Sequence, residues 1–382
     1  MSAKHEMLEV VNPYDGKAIG EVPVCGWDRI DHYLGKAHTM FTDRSNWLAA
    51  WQRVAILEQT AKIMAGRAEA LAFQIADEGG KPLIDARIEV ARAIDGVKLC
   101  IKEIAHLHGQ EIPMDLTEAG AGRMAFTSRE PIGIVAAVSA FNHPLNLIVH
   151  QVAPAIATGC PVIVKPANDT PLSCRSFVEI LYEAGLPEDW CLFAPCGNQV
   201  AEQLVSDPRI AFFSFIGSGR IGWMLRSKLA PGTRCALEHG GIAPVIIDES
   251  ADDDLLVPNL LKGGFYHSGQ VCVSVQRVFA PRSKARDLAQ RLADGAGRLS
   301  VGNAIHETTE CGPLIRPREV TRVAEWVDEA RDGGADCVGG GQVLGTTCYQ
   351  PTVLLDPPVG ARVSTAEIFG PVVCVYSCDS FR

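Results

Sequence analysis

Short apolar segments separated by helix-like stretches, beginning at Pro131, constrain the fold more than any other feature of the sequence. Near-continuous apolar runs of this length are typical of strands in a parallel sheet that is covered on both faces. Strands that alternate with helices predict an α/β fold with a Rossmann-type parallel sheet. The predicted strands are IGIVAAVSA (132–140), PVIVKPA (161–167) and IAFFSFIG (210–217), with helices over 145–158, 174–184 and 198–205.

The flanking regions predict a second α/β unit and an N-terminal scaffold. An apolar strand at 243–250 begins the second unit. Near the N-terminus, Asp15-Gly16 marks the turn of a short hairpin, and Gly79-Gly80 interrupts a long helical region. The polar, alternating stretch 110–130 predicts an exposed two-stranded ribbon. The other predicted elements are the hairpin over 9–24, helices over 49–107, 252–267, 283–297 and 317–332, and a strand over 273–280.

The charge and cysteine content of the chain limit the classes of partner and the cellular compartment that the sequence predicts. The net charge of −10 comes without the basic stripe of a nucleic-acid-binding surface. Residues 131–164 contain no Lys, Arg, Asp or Glu, but prolines and polar residues interrupt them before the ~18 apolar residues of a membrane span are reached. Thirteen cysteines without framework spacing favour a reducing compartment. We therefore expect a cytoplasmic protein with no nucleic-acid or membrane partner.

Two segments carry candidate chemistry. GSGRIG (217–222) directly follows an apolar strand, where glycines let a backbone approach a pyrophosphate at a helix N-terminus. From the residues alone, a glycine-rich turn without a ligand is an equal alternative. Cys272 lies in SGQVCVSV, after a predicted helix, where a loop can expose a thiol nucleophile. Because most cysteines in such a chain are inert and buried, the residues alone leave this open too.

Four groups of motifs resemble the aldehyde dehydrogenase superfamily, in the family's order and over nearly the whole chain. They are SAFNHP (139–144) with IVKPA (163–167), FIGSGRIG (215–222), CALEHGG (235–241) with GQVC (269–272), and EIFGPV (367–372). NHPLNLIVHQVAPAIA, CALEHGG and GQVCVSVQRVF look most like the branch around phosphonoacetaldehyde and lactaldehyde dehydrogenases. The resemblance implies a Rossmann-type cofactor domain, an α/β catalytic domain and a small oligomerisation ribbon.

The resemblance also implies catalytic roles for three positions. Cys272 attacks the aldehyde carbon to form a thiohemiacetal, and Asn142 stabilises its oxyanion together with the backbone N–H of Cys272. Hydride transfer to a nicotinamide leaves a thioester, which water hydrolyses with Glu238 as general base. Glu238 would act as this base if it is partly buried, and Gly240 and Gly241 put flexible backbone beside it, which suits a base that changes position. Without the resemblance, Glu238 is equally a surface carboxylate or a ribose ligand, and Asn142 a residue of a turn.

Cofactor contacts follow from the same resemblance, which implies NAD. Lys165 would reach the adenosine ribose, and Gly217 with Ser218 would hold the pyrophosphate. Glu367 and Phe369 would hold the nicotinamide ribose and ring. The chemistry requires no metal, and no His/Cys cluster has ligand spacing. The resemblance further implies a homodimer or homotetramer that pairs through the ribbon.

Some positions depart from the family pattern or bear on the substrate. Many NAD-preferring members carry Glu where this chain has Asn168, so use of NADP stays open. Relatives that handle phosphate- or phosphonate-bearing aldehydes often carry Arg where this chain has Val271, which argues against a dianionic substrate bound that way. His143, Asn146 and His150 have helical spacing and predict a polar pocket wall. We expect a small polar or hydroxylated aldehyde, with histidines satisfied in a helix interface as the alternative.

The resemblance divides the chain into three parts. Residues 1–109 and 131–236 are expected to form the cofactor-binding domain, 110–130 the oligomerisation ribbon, and 237–382 the catalytic domain. Family chains continue well beyond EIFGPV, so we expect the catalytic domain to be C-terminally incomplete, with apolar surface and a sheet edge exposed.

The expected reaction converts an aldehyde, NAD(P)+ and water to a carboxylate and NAD(P)H. One alternative is a catalytically silent truncated remnant that serves as a binding or interaction module. Another is a coenzyme-A-acylating dehydrogenase, in which a thiol replaces water. Acylating relatives generally lack the base at the position of Glu238, which favours hydrolysis.

Overall fold

The computed structural model describes residues 6–379 and has two separate five-stranded sheets with helices on their faces. The helices are α1 (Trp27–Thr42), α2 (Ala50–Gly66), α3 (Ala68–Gly79), α4 (Leu83–Ile104), α5 (Asn146–Thr158), α6 (Pro171–Glu183), α7 (Asn198–Ser206), α8 (Gly219–Arg226), α9 (Asp253–Phe265), α10 (Arg282–Ala296), α11 (Pro317–Asp332) and α12 (Arg362–Thr365). The strands are β1 (Met7–Val11), β2 (Ala18–Pro23), β3 (Glu111–Ile112), β4 (Ala125–Phe126), β5 (Ile134–Val138), β6 (Val162–Lys165), β7 (Cys191–Phe193), β8 (Ile210–Ile216), β9 (Arg234–Glu238), β10 (Ala243–Ile246), β11 (Val275–Pro281), β12 (Asp336–Gly339), β13 (Val343–Leu344), β14 (Cys348–Tyr349), β15 (Thr352–Leu355) and β16 (Val372–Cys378).

The first sheet confirms the predicted Rossmann-type parallel sheet. Its strand order is β7-β6-β5-β8-β9, and every neighbouring pair is parallel. Val135 and Ala137 of β5 pack with α2 to α6 on one face, whereas Ile134 and Ala136 pack with α1, α7 and α8 on the other. The strand order reverses between β5 and β8, and ligands of open α/β sheets bind at the carboxyl ends of the strands beside such a reversal.

The second sheet confirms the predicted second α/β unit. Its order is β10-β11-β16-β15-β12, with β12 antiparallel to β15 and the other pairs parallel. One face packs on α9 and α10, through residues such as Leu260 and Leu288. The other packs on α11 through Val323 and Val327. The edge strand β10 leaves Ile246 68% exposed.

Several elements differ from the sequence prediction. The predicted long helical region consists of three helices. Helix α3 ends at Gly80, which has a φ of +66°. A Cβ at this position would lie 2.7 Å from Pro313 Cγ, so no side chain fits there. The sequence prediction omits α1, β7, β9 and β12 to β15. Strand β9 extends the first sheet to Glu238, two residues past the boundary drawn at 236. The domain bounds themselves remain a prediction.

The stretch 110–130 contains a very short ribbon. Strands β3 and β4 pair antiparallel over two residues each. Leu116, Met124 and Phe126 are strongly exposed on it. Its role in oligomerisation remains a prediction. Within residues 6–379, no helix has the length and hydropathy needed to span a membrane.

Candidate active site

The loop after β5 and the loop before β11 meet through a hydrogen bond. Asn142 follows β5 and is 4% exposed. Its Nδ2 donates to the backbone oxygen of Gln270 over 2.9 Å. Gln270 lies two residues before Cys272, whose side chain is exposed. The two side chains for which the sequence predicts oxyanion binding and nucleophilic attack therefore belong to one site.

The loop before Cys272 has an unusual backbone. His267, Ser268 and Gly269 have φ values of +47°, +55° and +70°, and a Cβ on Gly269 would lie 2.1 Å from the Gly370 oxygen. Non-glycine residues in this region are strained, so surrounding contacts must hold them. The Ser268 hydroxyl donates to the Gly312 oxygen over 2.7 Å. These contacts fix the approach of the chain to the exposed thiol.

Gln270 ties the same loop to the segment after α10. Its Oε1 accepts from the Ile315 N–H over 3.0 Å, and its Nε2 donates to the Pro313 oxygen over 3.3 Å. Gln276 of β11 acts in the same way on the loop that carries Glu367, since its Oε1 accepts from Ile368 N–H over 2.8 Å. Buried amides thus join three separate loops around the thiol.

Two buried carboxylates of α4 support both loops, and the sequence prediction missed them. Glu89 Oε1 accepts from the N–H groups of Leu145 and Asn146, over 2.9 and 3.0 Å. Asp85 Oδ2 accepts from the His267 N–H over 3.2 Å. Both residues are at most 1% exposed. The available signal was a pair of acids four residues apart on an otherwise apolar helix face.

The segment that carries the predicted base, Glu238, is held by other contacts than the two loops described above. Glu238 is the last residue of the edge strand β9 and is exposed, so the expected partial burial is wrong. The Gly217 N–H donates to its backbone oxygen over 3.0 Å. The Glu367 carboxylate lies against Gly240, where a built Cβ would be 2.1 Å from its oxygens, and accepts from the Gly241 N–H over 3.2 Å. The predicted base and the predicted ribose ligand are therefore neighbours.

Electrostatics at the sulfur favour a neutral thiol. Partial desolvation, and then the carboxylates of Glu367 and Glu238, raise the pKa of Cys272 above its ordinary value. Burial also raises the pKa of Glu367. Both carboxylates lie within electrostatic reach of the sulfur.

The predicted contacts to the adenosine ribose and the pyrophosphate lie at the carboxyl ends of β6 and β8. Lys165 ends β6 and is 8% exposed, and its Nζ donates to Asn168 Oδ1 over 3.0 Å. Burial lowers the pKa of Lys165. Ser218 precedes α8, and within the described chain its hydroxyl does not cap the helix. The first-turn N–H groups of a helix have no partner inside it and suit an anionic group.

The last glycine of the 217–222 run has a packing role. A Cβ on Gly222 would lie 2.2 Å from His239 Nε2 and 2.8 Å from the Phe215 ring. The His239 ring also meets Trp223 with 5.5 Å between centroids. Gly222 is thus explained by close packing of the helix on the segment after β9, which is one of the uses of such a glycine.

The predicted substrate wall divides into buried and exposed residues. His143, Asn146 and Val271 are each 8% exposed, whereas His150 is exposed. The His143 ring stacks on Tyr266 with 6.2 Å between centroids. Within residues 6–379, Asn146 Oδ1 has no hydrogen-bond partner. His143 therefore belongs to the helix interface, while His150 faces open space.

Burial and nearby charges shift the pKa values of the two histidines of this predicted wall, His143 and His150. Burial, then the cations Lys81 and Arg92, lower the pKa of His143 well below its ordinary value. Desolvation lowers the pKa of His150, and the Glu238 carboxylate opposes this shift. Phe369, with φ of +49°, meets the Phe141 ring edge-on at 5.8 Å. Among the described residues, no three or more His, Cys, Asp or Glu side chains are grouped so that they could hold a metal ion.

Comparison with known proteins decides the family. The profile of the Aldehyde dehydrogenase family matches residues 1–382. The chain belongs to the aldehyde dehydrogenase family. It is 33% identical to 3-sulfolactaldehyde dehydrogenase of Priestia aryabhattai over 375 residues, which cover 98% of this chain and 78% of that protein.

Solved aldehyde dehydrogenase structures share the fold of this chain over nearly its whole length. Aldehyde dehydrogenase 21 from Physcomitrella patens, in complex with the reaction product succinate, has a TM-score of 0.94 at 34% identity and covers 100% of this chain and 79% of its own. A glyceraldehyde-3-phosphate dehydrogenase from Methanocaldococcus jannaschii, complexed with NADP, has a TM-score of 0.92 at 31% identity, covering 99% and 82%. The chain is thus an oxidoreductase of the family that oxidises aldehydes to acids.

Proposed function

We propose that this aldehyde dehydrogenase oxidises a small aldehyde with a polar tail through a covalent intermediate on Cys272, followed by hydrolysis. The observation that carries the proposal is the hydrogen bond from Asn142 Nδ2 to Gln270 in the loop of the exposed Cys272. It brings an amide donor and a thiol together beside two carboxylates.

Attack by the sulfur forms a C–S bond and places negative charge on the former carbonyl oxygen. The Asn142 amide has two N–H donors, and one of them is used on the Gln270 oxygen. In the described part of the chain, the second N–H and the backbone N–H of Cys272 remain available to donate to the oxyanion. Since the Cys272 pKa is raised, the thiol must lose its proton before it attacks, with Glu367 as a nearby acceptor.

The cofactor that fits is NAD or NADP, which supplies the hydride acceptor. The first turn of α8, which follows the exposed Ser218, suits its pyrophosphate, and Lys165 suits the adenosine ribose. Glu367 and Phe369 would hold the nicotinamide ribose and ring. Asn168 is uncharged and does not repel a 2′-phosphate, so both cofactors are compatible with this site.

Hydrolysis of the thioester requires a water and a base that reaches solvent. Glu238 is exposed at the end of β9 and is followed by two glycines at 240 and 241. An exposed carboxylate can take a proton from a water that enters the site. This favours hydrolysis over transfer of the acyl group to coenzyme A, which would not need Glu238.

The tail of the substrate is proposed to be polar or singly anionic. The relatives above are named for 3-sulfolactaldehyde or bound to succinate, both of which carry an anionic group. In this chain, His150 of α5 and Arg92 of α4 are both exposed, and the Arg92 cation contributes to the lowered pKa of His143 in the predicted wall. A guanidinium donates well to carboxylate and sulfonate oxygens. Val271 in place of a second cation is in keeping with a single negative charge.

The decisive experiment follows reduced cofactor by absorbance with a panel of small neutral and anionic aldehydes. Cys272→Ala should abolish turnover, whereas Cys337→Ala, a half-buried cysteine on β12, should leave it unchanged. Turnover that survives in Cys272→Ala contradicts the mechanism. If no aldehyde is oxidised and no cofactor binds, the silent binding module is the better interpretation. Sedimentation of the same sample tests the proposed homodimer or homotetramer.

A further inference from the structure

We propose that Asp85 and Glu89 of α4 are positioning residues that together set the separation between the oxyanion donor Asn142 and the nucleophile Cys272. The inference rests on the proposed function for the roles of those two side chains. Neither carboxylate touches the site itself. Each holds the backbone of one of the loops that do.

The Glu89 carboxylate holds the start of α5. It accepts from the N–H groups of Leu145 and Asn146, three and four residues after Asn142. A carboxylate at a helix N-terminus satisfies donors that the helix cannot use and is favoured by the helix dipole. Its other oxygen pairs with the fully buried Lys81. Since a buried ion pair is weak evidence for stability alone, a role in fixing geometry is the more specific explanation.

The Asp85 carboxylate holds the strained turn before the nucleophile. Its Oδ2 accepts from the N–H of His267, which has a φ of +47°. The His267 oxygen in turn accepts from the Gln270 N–H over 3.0 Å. Gln270 receives the Asn142 amide, so the chain of contacts runs from Asp85 to both reacting groups. The other oxygen of Asp85 meets Lys262 Nζ at 2.5 Å.

Both carboxylates lie on one face of one helix. Residues four apart on a helix are neighbours, about 5–6 Å apart at Cβ. Asp85 and Glu89 therefore form a short rigid spacer, and the two loops that they hold cannot move apart without breaking a buried hydrogen bond. A displacement of about 1 Å at the reacting groups costs on the order of 10²-fold in rate.

Asp85 is tested with a rescue series in the full chain. Asp85→Ala should lower kcat by about 10²-fold with a small change in KM, because reacting groups rather than substrate contacts are displaced. Asp85→Asn keeps an acceptor for the His267 N–H and should stay within about threefold of wild type, the value of a weakened hydrogen bond. Lys262→Met removes the exposed partner and should behave as wild type. An equal loss in Asp85→Asn and Asp85→Ala, or no loss in either, overturns the proposal.

Glu89 is tested with a double-mutant cycle against Asn142. Glu89→Ala removes the acceptor of the Leu145 and Asn146 N–H groups. It should lower kcat about tenfold in the wild-type background and less than about twofold in Asn142→Ala, because a residue that acts through Asn142 has nothing left to position. A merely structural role gives equal losses in both backgrounds and overturns the proposal. Since Glu89→Ala leaves the buried Lys81 without its partner, the double variant Lys81→Met/Glu89→Ala repeats the test in a chain with no unpaired buried charge, and thermal unfolding checks that it is folded.

The two levels of the hypothesis fail in different ways. If Cys272→Ala loses turnover while Asp85→Ala keeps the wild-type kcat, the positioning role is wrong and the covalent mechanism stands. If Cys272→Ala keeps turnover, both are wrong.

Discussion

The two sides of the active site are built by opposite means. On the nucleophile side, Asn142 is 4% exposed and donates to Gln270, and buried carboxylates of α4 hold both loops. On the base side, Glu238 lies exposed at the end of the edge strand β9, followed by two glycines. One side is fixed by buried hydrogen bonds, and the other is open to solvent.

The difference follows from what each side has to do. Stabilising an oxyanion requires donors placed in advance, because charge appears on one atom at one position. Activating a water requires access to solvent and tolerates movement of the base. We therefore expect small changes on the nucleophile side to cost catalysis strongly. Changes on the base side should alter one step and spare the others.

The largest effect is expected from removing the fixed donor. Asn142→Ala should lower kcat by about 10²–10³-fold, the typical loss when one oxyanion donor is removed. Steady-state kinetics measures this, with cofactor binding unchanged. Asn259→Ala, an exposed asparagine on α9, is the matched control and should have no effect. A rise in KM with an unchanged kcat would contradict a role in stabilising the transition state.

Removing the base should separate two steps. Glu238→Gln should lower steady-state turnover by about 10²-fold, within the range for general acid–base catalysis. A burst of one equivalent of reduced cofactor should remain, because attack and hydride transfer precede hydrolysis. Rapid-mixing absorbance measures the burst. If Glu238→Gln has wild-type turnover and coenzyme A is required, the chain is an acylating dehydrogenase and the contrast between the two sides disappears.

The pocket wall should show a smaller, substrate-dependent effect. Arg92→Met should raise KM for singly anionic aldehydes about tenfold, the value of a lost charge-assisted hydrogen bond, and leave neutral aldehydes unchanged. Lys102→Met, an exposed cation later on α4, controls for general surface charge. An equal rise for neutral aldehydes would mean that Arg92 supports the wall rather than the charge of the substrate.

The sequence predicts the nucleophile side best because its reacting residues lie in local motifs. The apolar strands, the asparagine loop and the thiol loop are each continuous in the chain. The carboxylates that support these loops are far from them in the sequence. Glu89 is 56 residues from Leu145, and Asp85 is 182 residues from His267. Such pairings depend on how α4 packs in the folded chain, which no local spacing specifies.

The error at Glu238 has a different cause. Position 238 ends a short alternating strand, and its exposure depends on whether that strand lies inside a sheet or at its edge. In the structure β9 pairs with β8 and is the last strand of the sheet, so alternate residues face outward. Helix α1 was missed because its buried residues are few, Ile30, Tyr33, Leu34 and Ala37 in a polar stretch.

A third carboxylate tests what burial alone does on the fixed side. Glu78 is fully buried and accepts from the N–H groups of Leu172 and Ser173, and burial raises its pKa to about 7. A carboxyl whose folded pKa is raised favours folding while protonated, and this contribution is lost as pH rises from its unfolded pKa through about 7.

Relative to Glu78→Gln, the wild-type free energy of unfolding should therefore fall between pH 5 and pH 8, by about 1.4 kcal/mol per unit of pKa difference. Urea denaturation at four pH values measures the difference, with Glu183→Gln, at an exposed glutamate of α6, as the surface control. The effect on kcat should be the smallest of the series, because Glu78 holds α6 and neither reacting loop. Parallel pH profiles for wild type and Glu78→Gln would show that its two backbone donors compensate fully for burial, and that burial on this side has no electrostatic cost.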